Sequence, residues 1–117
     1  SAARAAAALE DVRAASGSRR FDGDRFVGHL GNVVVTTRHV LAVDLRGRPA
    51  SRLWLLALAD VDGEPKVAGH RVRIYAKAPA SGREVELKDE GDARRLAEIV
   101  QQALAMRNVI DQPHNSK

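Results

Sequence analysis

The chain holds 117 residues, with 19 lysines and arginines against 15 aspartates and glutamates, a formal net charge of +4. That length makes one domain with a real core, and the absence of cysteine excludes disulfides and thiolate metal sites. No apolar run approaches bilayer length, and no charged-then-apolar signal segment opens the sequence. The basic balance permits contact with phosphate, acidic membranes or acidic proteins without choosing among them. Aromatics make up only 3% of the residues, so stacking platforms for single strands are scarce and no nucleic-acid partner is expected. The first residue is Ser1 and the only methionine is Met106, which makes the chain read as an excised piece of something longer.

Ala2 to Ala15 is alanine-rich without strand character, so a helix is expected, ending near Gly17 in a left-handed cap. Residues 1–17 form this helical lead-in, and 18–24 read as a polar linker that carries Phe21 towards the domain at 25–108. A first strand, Arg25 to Leu30, precedes a Gly31-Asn32 turn of the kind that tight hairpins use. Val33 to Leu45 follows, dense in β-branched residues, and divides into two strands that meet at Arg38 and His39. In the second of these, Leu41, Val43 and Leu45 share one face while Val40, Ala42 and Asp44 share the other.

Arg46 to Pro49 is turn chemistry, and Arg52 to Leu58 is the fourth strand. Trp54 sits there in an almost continuous apolar run, predicting burial on much of both faces or a position under the helix. Asp62, Gly63 and Pro65 break the chain before a short fifth strand through Ala68. Arg71 to Lys77 alternates cleanly, with Val72, Ile74 and Ala76 inward and Arg71, Arg73, Tyr75 and Lys77 outward. After a turn at Pro79 to Gly82, Arg83 to Leu87 alternates again with Val85 and Leu87 inward. Asp89 then caps a helix with Glu90 and Asp92 in its first turn, favourable at the positive end of the macrodipole. Ala93, Leu96, Ala97, Val100, Ala103 and Leu104 recur at helical spacing, the helix stops near Arg107 or Asn108, and 109–117 is a disordered polar tail.

Seven short strands and one amphipathic C-terminal helix predict a mainly β sandwich or barrel closed by that helix, with a short Ala-rich helix in front. That arrangement resembles the pleckstrin-homology superfold. The run Val35-Thr36-Thr37-Arg38-His39-Val40-Leu41, with Trp54 in the next strand, resembles a strand pair of the C-terminal pleckstrin-homology-like domains of the vacuolar-protein-sorting-thirteen family of bridge-like lipid transfer proteins. Glu64 to Lys77 is similar to that family's fifth and sixth strands, and Asp92-Ala93-Arg94 to the start of its closing helix. The resemblance covers about Phe26 to Met106. It implies a non-catalytic targeting module at the cytoplasmic face of organelle membranes, placing a lipid-transfer bridge at contact sites. The implied partner is a membrane-anchored adaptor protein or an Arf-type small GTPase.

The chemistry-bearing residues are dispersed. His29, His39, His70 and His114 match no zinc spacing and read as turn and surface histidines. Asp60, Asp62 and Glu64 alternate as in a calcium loop, but Pro65 and Lys66 break the continuation, leaving a solvated turn. No glycine-rich phosphate loop, nucleophile elbow or histidine–aspartate pair is evident, so neither catalysis nor a cofactor is expected. The first hairpin loop, Gly28 to Asn32, has no lysine or arginine with which to grip a phosphoinositide headgroup.

Two surfaces remain as candidates. Arg71, Arg73, Tyr75 and Lys77 form an exposed stripe that meets a partner or lipid, or is an ordinary solvated strand face. Pleckstrin-homology-like sandwiches are splayed between their fourth and fifth strands, so Arg52, Trp54 and Leu56 with Lys66 and Val67 make an open edge for an added peptide strand. Protein docking at membrane contact sites is the leading expectation. Direct binding of acidic phospholipid by the basic surface is the alternative.

Overall fold

The computed structural model describes residues 1–17 and 19–111. Helix α1, Ala2–Ser16, is followed by strands β1 Phe26–Leu30, β2 Val33–Thr36, β3 His39–Asp44, β4 Ser51–Ala57, β5 Lys66–Ala68, β6 Arg71–Ile74 and β7 Arg83–Glu86, and then by helix α2, Glu90–Asp111. The strands form two antiparallel sheets in sequence order, β1-β2-β3-β4 and β5-β6-β7. No continuous ladder joins the two sheets among the described residues, so of the expected sandwich or barrel the closed barrel is not formed, and the strands make two antiparallel sheets. Short hairpin connections favour this order, because each strand meets its partner at small loop-closure cost.

Three layers result. Between the sheets, Val33, Val35, Val40, Leu56, Val72 and Ile74 meet Ala93, Leu96, Ala97, Val100 and Ala103 of α2. The apolar stripe read from the α2 sequence is therefore the surface that fills the opening, lying against β1, β2, β5 and β6. Gly28 lets the helix approach: a Cβ there would lie 3.1 Å from Ile99 Cγ2. Asp89 caps α2, its carboxylate accepting from Asp92 N at 2.8 Å. The helix passes the expected stop near Arg107 and takes in Val109 to Asp111, the first residues of the expected tail. Residues 112–117, the remainder of that tail, lie outside the described residues, as does Ser18.

The second core lies on the other face of the four-stranded sheet. Ala5, Ala8, Leu9 and Val12 of α1 pack on Val34, Leu41 and Val43, with Phe21 and Ala50 at the margin. Consequently β2 and most of β3 are buried on both faces. Gly17 ends α1 with φ 57°, the left-handed cap expected of it. Arg19 to Asp24, read as a polar linker, is tied down: Arg19–Phe21 is a 3₁₀ turn and both Phe21 and Asp24 are buried.

Two further expectations are corrected. Strand β4 is not buried on both faces: Ser51, Arg52 and Leu53 are exposed and Trp54 is half-buried. It is the edge of its sheet; α1 packs against it, while Leu56 joins the core that α2 fills and Trp54 packs at the margin of that core. Strand β6 keeps the predicted alternation but ends at Ile74, because Ala76 bridges back to Val61 in the β4–β5 connection. There Asp62 N donates to Tyr75 O at 2.8 Å and Lys77 N to Asp60 O at 2.7 Å.

Candidate functional site

The most organised polar constellation in the molecule is one that the sequence pattern did not bring together. Asp24 ends the segment after α1 with its side chain fully out of solvent. One carboxylate oxygen accepts from Thr37 Oγ1 at 2.9 Å and Arg38 N at 2.9 Å. The other accepts from Thr36 Oγ1 at 2.8 Å and His39 Nδ1 at 2.7 Å. Four donors saturate the four lone-pair directions of an ionised carboxylate. Burial alone pushes this carboxyl group's pKa up, but the bonds from His39, Thr36 and Thr37 together outweigh that and hold it below its ordinary 3.8. An ionised carboxylate only accepts, so His39 carries its proton on Nδ1.

Each donor is positioned by local structure. Thr36 closes β2 and His39 opens β3, so the tight connection between them points donors from four successive residues, Thr36 to His39, at one spot. The Thr36 hydroxyl also accepts from His39 N at 2.8 Å, and Thr37 Oγ1 from Arg25 N at 3.1 Å. The Phe21 ring covers the His39 imidazole with centroids 5.0 Å apart. Arg13 of α1 donates through Nη2 to the Asp24 carbonyl. Helix α1, the 3₁₀ turn and the β2–β3 connection are thereby locked into one unit.

This corrects two sequence expectations: His39 is neither a surface nor a free turn histidine, and the chain does contain a histidine–aspartate pair. The pair is structural in its contacts, because Thr36 and Thr37 spend their hydroxyl hydrogens on Asp24. Next to it opens a cleft of about 390 Å³ lined by Arg20, Gly23, Thr37, Arg38, His39, Ala57, Ala59 and Arg107.

The predicted stripe is exposed as read, yet it is not a continuous patch of positive charge. Arg73 pairs with Glu84 across the ladder at 2.9 Å and Arg71 lies 3.7 Å from Glu86. Glu86 also meets His70 Nε2 at 2.7 Å, and that hydrogen bond, followed by the field of Arg71, lowers its pKa. The antiparallel register sets Arg71 opposite Glu86 and Arg73 opposite Glu84, an arrangement that stabilises the sheet surface modestly. Exposed pairs of this kind contribute little to stability, so Arg73→Ala is expected to leave the urea unfolding midpoint within the scatter of the wild type. Tyr75 is 41% exposed and Lys77 is exposed beside it.

The residues proposed for an open edge are not gathered on one surface. Leu56 is in the central core, and Trp54 lies beneath the Arg83 guanidinium, whose carbon is 5.2 Å from the ring centre. Arg52 faces the end of α1, where it shares a hollow with Val12, Ala15 and Ser16. Lys66 and Val67 are exposed on β5, at the edge of the other sheet and beside α2. Of the four histidines, His29 is half-buried on β1, His70 is exposed in the turn before β6, and His114 lies outside the described residues. Among the described residues, no three histidine, aspartate or glutamate side chains gather as metal ligands. No helix is long and apolar enough to cross a membrane among those residues.

The fold and site define a mainly β domain of two antiparallel sheets filled by a C-terminal helix, with a buried aspartate–histidine network beneath a basic cleft. Comparison with protein-family models, with curated proteins and with solved structures finds no match.

Proposed function

We propose that this chain is a pleckstrin-homology-like targeting module of the kind carried by large lipid-transfer proteins, one that docks at membrane contact sites through a protein partner. The observation that carries the reading is the arrangement of four and three antiparallel strands in sequence order with one amphipathic helix filling the opening between the sheets. The Val35 to Leu41 pattern lies at the centre of that arrangement, in its second and third strands. The partner class is a membrane-anchored adaptor or an Arf-type small GTPase, acting on the cytoplasmic face of an organelle. The end of β6 and the residues that follow it offer the contact surface: Tyr75 is an exposed aromatic flanked by Arg73 and Lys77, the composition typical of interface anchors.

The test is co-elution of the chain with an Arf-type GTPase, loaded with GTP analogue or GDP, and with membrane-adaptor cytoplasmic segments. Binding to one of them that is lost in Tyr75→Ala, with the fold unchanged by circular dichroism, is the expected result. Capture by acidic vesicles through Arg71 and Arg73, with neither protein bound, would overturn it in favour of direct phospholipid binding. The alternation of those arginines with Glu84 and Glu86 argues against that outcome.

A further inference from the structure

The free margin of β4 lies between two arginines that have no carboxylate to answer them. Arg52 stands on the α1 side, at a hollow of about 450 Å³ that it shares with Val12, Ala15 and Pro49, and its side chain makes no hydrogen bond or ion pair among the described residues. Arg83 stands on the other side, over the Trp54 ring, and its Nε is buried without an acceptor. The nearby carboxylates are committed elsewhere: Asp11 accepts from Ala50 N at 2.8 Å, and Asp44, opposite Ser51, is paired with Arg46. Although only two residues apart, Arg52 and Trp54 face opposite sides, because the pairing with β3 slips between Ala42 and Val43 and leaves Leu53 as the extra residue of a bulge. Beyond the bulge, Trp54 to Ala57 keeps a regular register with β3 and has no strand on its other side.

We propose that the margin of β4 takes an extended acidic segment of a protein partner as a fifth strand of the four-stranded sheet. The backbone of Trp54 to Ala57 supplies the ladder, which any extended chain satisfies; the two arginines supply the selection. Side chains of an added strand point alternately to its two faces, so one carboxylate meets Arg52 and another Arg83 when they stand an odd number of positions apart, as in a Glu-Asp pair. A buried guanidinium hydrogen with nothing to accept it costs free energy, which is the local reason for an anion at Arg83. Exposed Leu53 and the hollow beside Arg52 receive an apolar side chain of the same segment. A second copy of this chain fits less well, because it brings its own Arg52 to the same margin. This surface belongs to the four-stranded sheet and Tyr75 follows a strand of the other, so the inference goes beyond the docking reading and does not depend on it.

The experiment is an amide-shift titration of the whole chain with three short synthetic peptides of alternating valine and threonine that differ only in a central Glu-Asp, Gln-Asn or Lys-Lys pair. Saturable shifts at Arg52 and at Trp54 to Ala57 are expected with the Glu-Asp peptide, weakening as salt is added. The Gln-Asn peptide is expected to bind about tenfold more weakly, the loss of two ion pairs at a solvent margin, and the Lys-Lys peptide not to bind. Arg52→Gln and Arg83→Gln are each expected to weaken the Glu-Asp peptide about two- to fivefold and to leave the Gln-Asn peptide unchanged, whereas Tyr75→Ala alters neither. Equal binding of the three peptides, shifts confined to another surface, or no binding overturns the proposal. Shifts at the same amides on raising the protein concentration without peptide identify a second copy as the occupant and overturn it as well. Because the three peptides are compared on the wild type, the result decides the matter even if an arginine variant fails to fold.

Discussion

Asp24→Ala is expected to destabilise the chain by several kcal/mol, because each buried donor left without an acceptor costs about 1–3 kcal/mol. The cost arises from what stays behind. Two threonine hydroxyls, the Arg38 amide and His39 Nδ1 lose their acceptor in a place water does not reach freely. Thr36→Val, which deletes a single hydroxyl of similar volume, should cost about 1–2 kcal/mol by the same reasoning. Urea unfolding followed by the fluorescence of the single tryptophan, Trp54, measures both. The pH dependence has a definite sign. Because the carboxyl group's pKa is below 3.8 in the folded chain, its contribution is fully present above the unfolded value, about pH 4, and is lost as the pH falls through the folded one. Asp24→Ala should therefore flatten the acid limb of the stability profile. An unchanged acid limb in the variant would show that other carboxylates set it.

Leu9→Ala is the second large effect expected, about 2–5 kcal/mol, the range for truncating a buried leucine. Leu9 is 2% exposed between α1 and the outer face of the four-stranded sheet. The informative comparison is Leu53→Ala on the edge strand: Leu53 is 57% exposed and should change stability by no more than about 0.5 kcal/mol. If the Leu9 variant were as mild as the Leu53 variant, α1 would be an appendage and not a layer of the domain. The same urea melts decide between them.

The elements were legible where a single period governs them. Val72, Ile74 and Val85 alternate, Ala93 to Ala103 recur at helical spacing, and all are buried as that reading requires. The pattern failed where both faces of an element are covered. In Val33-Val34-Val35 every position is apolar, and nothing local says that Val33 and Val35 face α2 while Val34 faces α1. The α1 stripe of Ala5, Ala8, Leu9 and Val12 has helical spacing as well, but nothing in that spacing says which sheet face it covers. Small side chains suffice because they let the helix come close to a flat, β-branched sheet face.

The Asp24 network was hidden for a different reason. Asp24 and His39 are joined by tertiary contact between a segment resembling a linker and a hairpin turn. Spacing rules see neither partner from the other. The available signal was Thr36-Thr37 at a strand end followed by His39, with a small Gly23 beside an aspartate, which is weak without coordinates. The cleft is less visible still, since Arg20, Arg38 and Arg107 come to line it only when α2 reaches across the sheets.

Strand β4, as the unpaired margin of its sheet, has a bearing on solubility. A sheet margin offers a row of backbone donors and acceptors that recruits any extended chain, including another molecule of the same protein. Exposed Leu53 adds an apolar side chain to that margin. Arg52 places a charge beside it, and Arg83 lays a second over Trp54, so a stacking copy must strip two cations of water before it gains a ladder. Neutralising both arginines is therefore expected to make the chain more prone to aggregate, measured as light scattering against the wild type.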